Sequence, residues 1–518
     1  MASVLIADLT AQAVSRAPAP ALHYGRGLAV SLLAQHTPAH CPRLSSENAF
    51  VIAPGLLTGT PVPCATRASV VARAEGHSGL AVTNITGDLP QKLASLDIAA
   101  IVIKGKSALG NAVLYIDAQE TRLLHMPKLQ GLSCGEIVAA LREDMGTDCA
   151  ILGCGPAADM ALPLSGIFTT YPEGTPRFTC PRSSFGDVPG SKGLRAIVIK
   201  YDHYFDAPCA HRASLQADGK RLAQRILQDP ICGGALPGLG SITILHLLKN
   251  GGAIPETPRR APASRPSAEG PINYCCAPMC AIGCLNRHAG SGGRLFAAPE
   301  EAEVRAAVGH CFEGMLSESE MDALSAALST KGLSLGLNAT EFAYTASLYM
   351  QLTAASPTPS LILSLMDEVA QGTLTGRLLG GGTAALCRLY PNDEAVQKRL
   401  TRPAVQSEKQ HAVKLAVISE ALRDVDDMER LYRQIFLMEN LGLCIFSSFA
   451  LLNHADTLAL LARLYAARTG EDADADKLLS YAGECLEAEE ALKTQDALAG
   501  AGHSVPEFVK VLYRYFSA

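Results

Sequence analysis

Short apolar runs of strand length dominate the first two hundred residues. Residues 3–9, 99–103, 112–116 and 196–199 are rich in Val, Ile, Leu and Ala, and Gly, Pro, Asn and Asp bound them. That pattern predicts strands ended by turns. Two stretches at helical spacing interrupt them: 26–35, and 135–144 with Ile137, Val138 and Leu141 on one side. From about Ala213 the helical period takes over, starting with 217–228, where Leu222, Ile226 and Leu227 share a side. Residues 253–271 carry five prolines and three arginines, which predicts a surface loop or a linker of polyproline character. Beyond residue 300 nearly everything reads helical, with long tracts at 404–439, 455–469 and 473–493. No repeat of 20–50 residues is visible. The pattern predicts an α+β chain: a β-rich N-terminal domain (1–205), then two mainly α-helical domains (206–370 and 371–518).

Composition narrows the class. The chain has 518 residues, 48% of them hydrophobic and 18% charged, so it can bury large cores and is not a disordered polymer. A formal charge of −6 argues against a nucleic-acid binder, which normally carries a basic excess. The first ten residues lack a basic stretch and include Asp8, unlike a signal peptide. The apolar stretch 441–465 is interrupted by Asn453, His454, Asp456 and Arg463, which argues against a membrane span. A soluble, cytoplasmic protein is expected, in which cysteines stay as thiols or bind metal. The 16 cysteines are too dilute for a disulfide scaffold.

Four of them lie close together in Tyr274-Cys275-Cys276-Ala277-Pro278-Met279-Cys280-Ala281-Ile282-Gly283-Cys284. Thiolates are soft ligands, and a short loop lets several converge on one centre. The spacing of Cys276, Cys280 and Cys284 matches neither paired CxxC zinc sites nor two-cluster ferredoxins. An iron–sulfur site, a zinc site and plain buried thiols are all compatible with it. A fourth ligand could be local, Cys275, or remote, Cys444.

Several motifs together resemble the tungsten-containing aldehyde:ferredoxin oxidoreductase family. They run from Leu5-Ile6-Ala7-Asp8-Leu9-Thr10 through Gly25-Arg26-Gly27-Leu28-Ala29 to Leu44-Ser45-Ser46-Glu47-Asn48. Gly55-Leu56-Leu57-Thr58-Gly59-Thr60-Pro61-Val62-Pro63 with Arg67 is similar to the family's GPLTGT segment and its arginine. Gly155-Pro156-Ala157, then Arg182 and Gly190-Ser191-Lys192-Gly193-Leu194-Arg195, continue the likeness. Cys280-Ala281-Ile282-Gly283-Cys284 resembles its cluster loop, and Leu441-Gly442-Leu443-Cys444 its DxxGLC motif. The resemblance is strongest in the first 200 residues and weak over 320–430.

The resemblance implies a two-sheet N-terminal domain beneath a tungsten or molybdenum atom held by two dithiolene pterins, enclosed by two helical domains. It implies a 4Fe–4S cluster on Cys276, Cys280, Cys284 and Cys444, passing electrons to ferredoxin or a similar iron–sulfur carrier. Oxidation of a small aldehyde-like or oxo substrate would follow, and a homodimer is common. Arg67 and Arg182 match phosphate-binding arginines, for which bidentate guanidinium contacts are suited. Asn84 and Gly87 belong to the cofactor loop, and Asn84 could offer an oxygen to a magnesium ion bridging the phosphates. Glu439, Gly442 and Leu443 match a pterin-contacting segment. Glu300, in Pro299-Glu300-Glu301, matches a proton-relaying glutamate.

There are departures. Position 277 of the expected cluster spacing is Ala277, with Cys276 beside it. Thr86 replaces a glycine, Leu333 stands where a pterin-binding carboxylate is expected, and the family's substrate-side histidine has no match between 370 and 410. Such losses favour a second reading, a cluster-bearing electron-transfer or assembly subunit without its own turnover. Glu408 and His411 read as a solvated helix face.

Overall fold

The computed structural model describes residues 2–20, 24–74, 79–171, 176–178, 185–239, 243, 275–284, 287–289, 295–394, 396, 425–452 and 454–494. The Pro/Arg-rich stretch 253–271, Arg182, Glu408 and His411 lie outside them.

Two six-stranded sheets make up the N-terminal part. The first holds β1 (Ser3–Asp8), β2 (Ala13–Pro18), β3 (Phe50–Pro54), β4 (Ala68–Arg73), β5 (Leu80–Ile85) and β6 (Ile98–Lys104), in the order β2-β1-β6-β3-β4-β5. The second holds β7 (Ala112–Ile116), β8 (Thr121–His125), β9 (Cys149–Cys154), β10 (Ile167–Thr170), β11 (Pro176–Phe178) and β12 (Leu194–Lys200), in the order β11-β10-β9-β12-β7-β8. Each sheet is mixed. β1 runs parallel to β6, with Leu5 opposite Ile101, and β12 parallel to β7, with Ile197 opposite Leu114.

The inner faces meet in one apolar core, where Leu5, Phe50, Val70 and Ile103 face Leu114, Leu152, Ile197 and Ile199. The outer face of the first sheet is covered by the helix Gly25–His36 through Leu28, Leu32 and Leu33. The outer face of the second is covered by Cys134–Met145 through Ile137, Val138 and Leu141. Strands such as Phe50–Pro54 and Ala112–Ile116 are therefore buried at every position. A strand covered on both sides reads as an unbroken apolar run, and that is the pattern their sequences carry. The fold class is as expected: a β-rich two-sheet N-terminal domain followed by helices.

The helices gather on two flanks. Glu318–Leu335, Ala339–Leu352 and Pro359–Gln371 share a core with Ala157, Leu162 and Leu164. Arg212–Gln228, Val425–Asn440, Thr457–Thr469 and Ala475–Thr494 share another with Leu57, Val62, Cys64 and Ala65. Thus a helix early in the chain packs with the C-terminal helices. Ser133 and Ser317 each close a capping box, with Glu136 and Glu320, which satisfies N–H groups the first turn leaves unpaired.

The two flanks dock on the two sheets in the same way. After β3 the chain turns at Gly55 and meets the end of Val425–Asn440, with Ala65 bridged to Leu443. After β9 it turns at Gly155 and meets the end of Glu318–Leu335, with Ser165 bridged to Leu337. In each case the backbone bond after the bridge is repeated: Cys444 N donates to Cys64 O (2.8 Å) and Asn338 N to Leu164 O (2.9 Å). Close approach demands glycine here. A Cβ on Gly55 would lie 2.1 Å from Gly442 Cα, and one on Gly336 3.0 Å from Gly155 Cα. Gly442 and Gly336 also hold φ of +83° and +72°, where L side chains are strained.

A candidate iron–sulfur centre and its arginine

The candidate centre lies where the first docking seam meets the cysteine loop. Three segments converge. The loop 275–284 is tied to residue 64 by the bond from Cys64 N to Met279 O (2.9 Å). Residue 64 is tied to Cys444 by the bond given above, and Gly442 O accepts from Thr66 N (2.9 Å) and Arg67 N (3.1 Å). Cys276 and Cys444, far apart in sequence, are thereby brought to one place, both buried.

Arg67 sits among the thiols. Its guanidinium donates to Cys444 Sγ at 3.2 Å. Burial works against the Arg67 charge, but the sulfurs of Cys444, Cys276 and Cys284 push its pKa above the ordinary value. Other donors point at the sulfurs: Thr86 Oγ1 to Cys276 Sγ (3.5 Å) and Gly283 N to Cys280 Sγ (3.5 Å). Cys275 donates to Cys280 O at 3.4 Å. Cys280 titrates low for a cysteine, at about 7. Its hydrogen bond with Cys275 opposes this, and those from Cys276 and Cys64 outweigh it.

These residues fit a group held by several thiolates. The sulfurs come from three segments, an arginine offsets their charge, and N–H and O–H donors face them. Among the described residues no three Cys, His, Asp or Glu side chains are arranged to hold a single metal ion.

The cofactor-side residues present a different picture. Glu439 accepts from Arg26 Nη1 (2.7 Å) on one oxygen and from Asn84 Nδ2 (2.8 Å) on the other. Asn84 Oδ1 in turn accepts from Ser69 Oγ at 3.1 Å. Arg26 also forks onto Glu489 (2.8 and 2.6 Å) and lies 4.7 Å over the Phe436 ring. Each Glu439 oxygen therefore already has a protein donor. Leu333 packs on the outer core of the second sheet. The two positions expected to offer carboxylates to pterin rings thus do not fit that role: one is engaged and the other is apolar. Gly87 backs onto β10, where a Cβ would lie 2.4 Å from Thr170 O. Gly442 and Leu443 serve the docking seam through their backbone. Glu300 lies on the helix Ala298–Cys311, and its side chain is outside the described residues.

Sequence reasoning missed Cys64, Arg26 and Glu489. Cys64 has no local cysteine partner, so spacing gives no hint of it. Arg26 sits inside a quoted motif, but its two carboxylates come from the far end of the chain.

Comparison with known proteins agrees with this architecture. Residues 4–201 match the family described as aldehyde ferredoxin oxidoreductase, N-terminal domain. Tungsten-containing aldehyde ferredoxin oxidoreductases of Pyrococcus furiosus and Thermococcus kodakarensis are 27% and 26% identical over 231 residues. That stretch is 44% of this chain and 37% of each relative, so the match spans well under half of those proteins. The solved structure titled "Active site complex BamBC of Benzoyl Coenzyme A reductase in complex with 1,5 Dienoyl-CoA" is similar in fold. It aligns with a TM-score of 0.73 at 14% identity, covering 96% of this chain and 89% of that one. Through residues 4–201 the chain is similar to the N-terminal domain of the aldehyde ferredoxin oxidoreductase family, at low identity. No helix among the described residues is long and apolar enough to cross a membrane.

Proposed function

We propose that this protein is an oxidoreductase whose redox centre is a 4Fe–4S cluster on Cys276, Cys280, Cys284 and Cys444. The observation that carries the reading is the Arg67–Cys444 hydrogen bond at 3.2 Å, in the midst of thiols from separate segments. Such a cluster, when bound, supplies one-electron steps. The chain's own part is electrostatic and steric. Arg67 offsets the negative charge of the thiolates, and the Thr86 hydroxyl and Gly283 N–H place donors against two sulfurs. Buried Ile282, Leu443 and Ala277 exclude water from the loop. Burial and hydrogen bonds to sulfur are the levers by which a protein sets cluster potential.

The relatives' names support tungsten, an aldehyde substrate and ferredoxin as acceptor; the pterin, the molybdenum alternative and an oxo substrate rest on the motif resemblance. Arg67 suits that cofactor's anionic groups. Glu439, engaged by Arg26 and Asn84, and apolar Leu333 favour a second reading, a cluster-bearing electron-transfer or assembly subunit of the same fold. Metal analysis of anaerobically purified protein separates the two. About four irons per chain with tungsten or molybdenum supports the enzyme. The same iron without either metal supports the second reading, and zinc alone refutes both.

A further inference from the structure

Cys64 belongs to no cysteine run, yet it is fully buried at the meeting point of the cluster segments. Its backbone joins both partners: Cys64 N donates to Met279 O (2.9 Å), and Cys64 O accepts from Cys444 N (2.8 Å). Its sulfur faces the loop, where Ala281 N donates to Cys64 Sγ at 3.4 Å. Met279 and Ala281, the residues on either side of Cys280, thus both bond Cys64, and this sets the Cys64 and Cys280 thiols against each other. The backbone adds an independent sign. Cys64 holds φ of +60°, and its partner Met279 holds +62°. A residue with a Cβ in that region is strained where glycine would not be, and such outliers persist where the surroundings impose them. At position 64 the thiol is a use for the side chain that glycine could not supply.

We propose that Cys64 is a fifth thiol of the centre: it binds no iron but donates its S–H to the sulfur of Cys280 and raises the cluster's reduction potential. The inference rests on the cluster reading above. Reduction adds negative charge to the cluster and its sulfurs. A donor on a ligand sulfur stabilises that charge, so the reduced state gains more than the oxidised one. Four ligands come from Cys276, Cys280, Cys284 and Cys444, so coordination is complete without Cys64.

The test uses the full chain, purified anaerobically with its cluster, as wild type, Cys64→Ala, Cys64→Gly and Cys64→Ser. Iron and sulfide per chain are measured, and the midpoint potential is taken from a redox titration followed by electron paramagnetic resonance. Cys64→Ala and Cys64→Gly keep the iron and the reduced-cluster signal. At a fixed potential their reduced fraction relative to oxidised falls about tenfold, a midpoint lower by about 59 mV for one electron. Cys64→Ser retains a donor and stays near wild type. The glycine variant suits the left-handed backbone, so a folding failure confined to alanine does not obscure the result. An unchanged potential in the alanine and glycine variants overturns the tuning role while leaving the cluster intact. Loss of iron in both overturns it in favour of ligation by Cys64. A wild-type protein without an iron–sulfur cluster overturns both the cluster reading and this one.

Discussion

Arg26 is the point at which the first sheet's helix and the C-terminal helices are bound together. Its guanidinium makes hydrogen bonds of 2.7, 2.8 and 2.6 Å to Glu439 and Glu489. The Glu489 side chain is only 1% exposed and that of Glu439 11%. Burial works against the Arg26 charge, yet the two carboxylates push its pKa above the ordinary value. Arg26→Met keeps the stem but removes the charge and every donor. Two carboxylates are then left in an apolar setting. Breaking a buried ion pair from one side costs about 3–5 kcal/mol. For a cooperative unit of roughly 150–250 residues each kcal/mol lowers Tm by about 2–4 °C, so the transition containing the first sheet falls by roughly 6–20 °C. Calorimetry of the purified protein reads the shift. A triple variant adding Glu439→Leu and Glu489→Leu recovers most of the loss, because no unpaired charge remains. A loss below about 1 kcal/mol in Arg26→Met, the range of exposed pairs, refutes the picture of Glu439 held by this fork.

Further outcomes follow from other contacts. Cys444→Ser removes the sulfur that Arg67 contacts, and the visible cluster absorbance falls with iron content; undiminished absorbance rules out Cys444 as a ligand. Gly55→Ala places a methyl 2.1 Å from Gly442 Cα and destabilises by about 1–3 kcal/mol in a denaturant titration, as overpacking does. Lys192, held by Ser46 O (2.8 Å), has its pKa lowered by burial from 10.5 to about 8. The unfolded chain therefore binds more protons between pH 8 and 10.5, and stability gains with rising pH across that window. Lys192→Met removes this slope, which unfolding curves at several pH values measure; an unchanged slope assigns the effect to another group.

The β-rich half was legible because its central strands, such as Ala112–Ile116 and Leu194–Lys200, are buried on both faces and have flanking turns. Residues 112–116 were read as a strand and form Ala112–Ile116. Helix ends were read to within a few residues, since period and capping are local: 135–144 became Cys134–Met145, begun by the Ser133 capping box. The repeated docking of Gly55 on Gly442 and of Gly155 on Gly336 was not legible. Its two contacts join residues 387 and 181 positions apart, and they are carried by backbone approach and two bridges, with little repeated side-chain pattern.

The sequence by itself determined the N-terminal fold, the cysteine loop and the family likeness, because these rest on local periodicity and short motifs. Only the tertiary structure decided which side chains meet. It brought Cys64 to Cys280 and Arg67 to Cys444, and it engaged Glu439 with Arg26 and Asn84. Those pairings join segments hundreds of residues apart. No spacing rule encodes them, since they arise where packed helices and sheet turns close on one another.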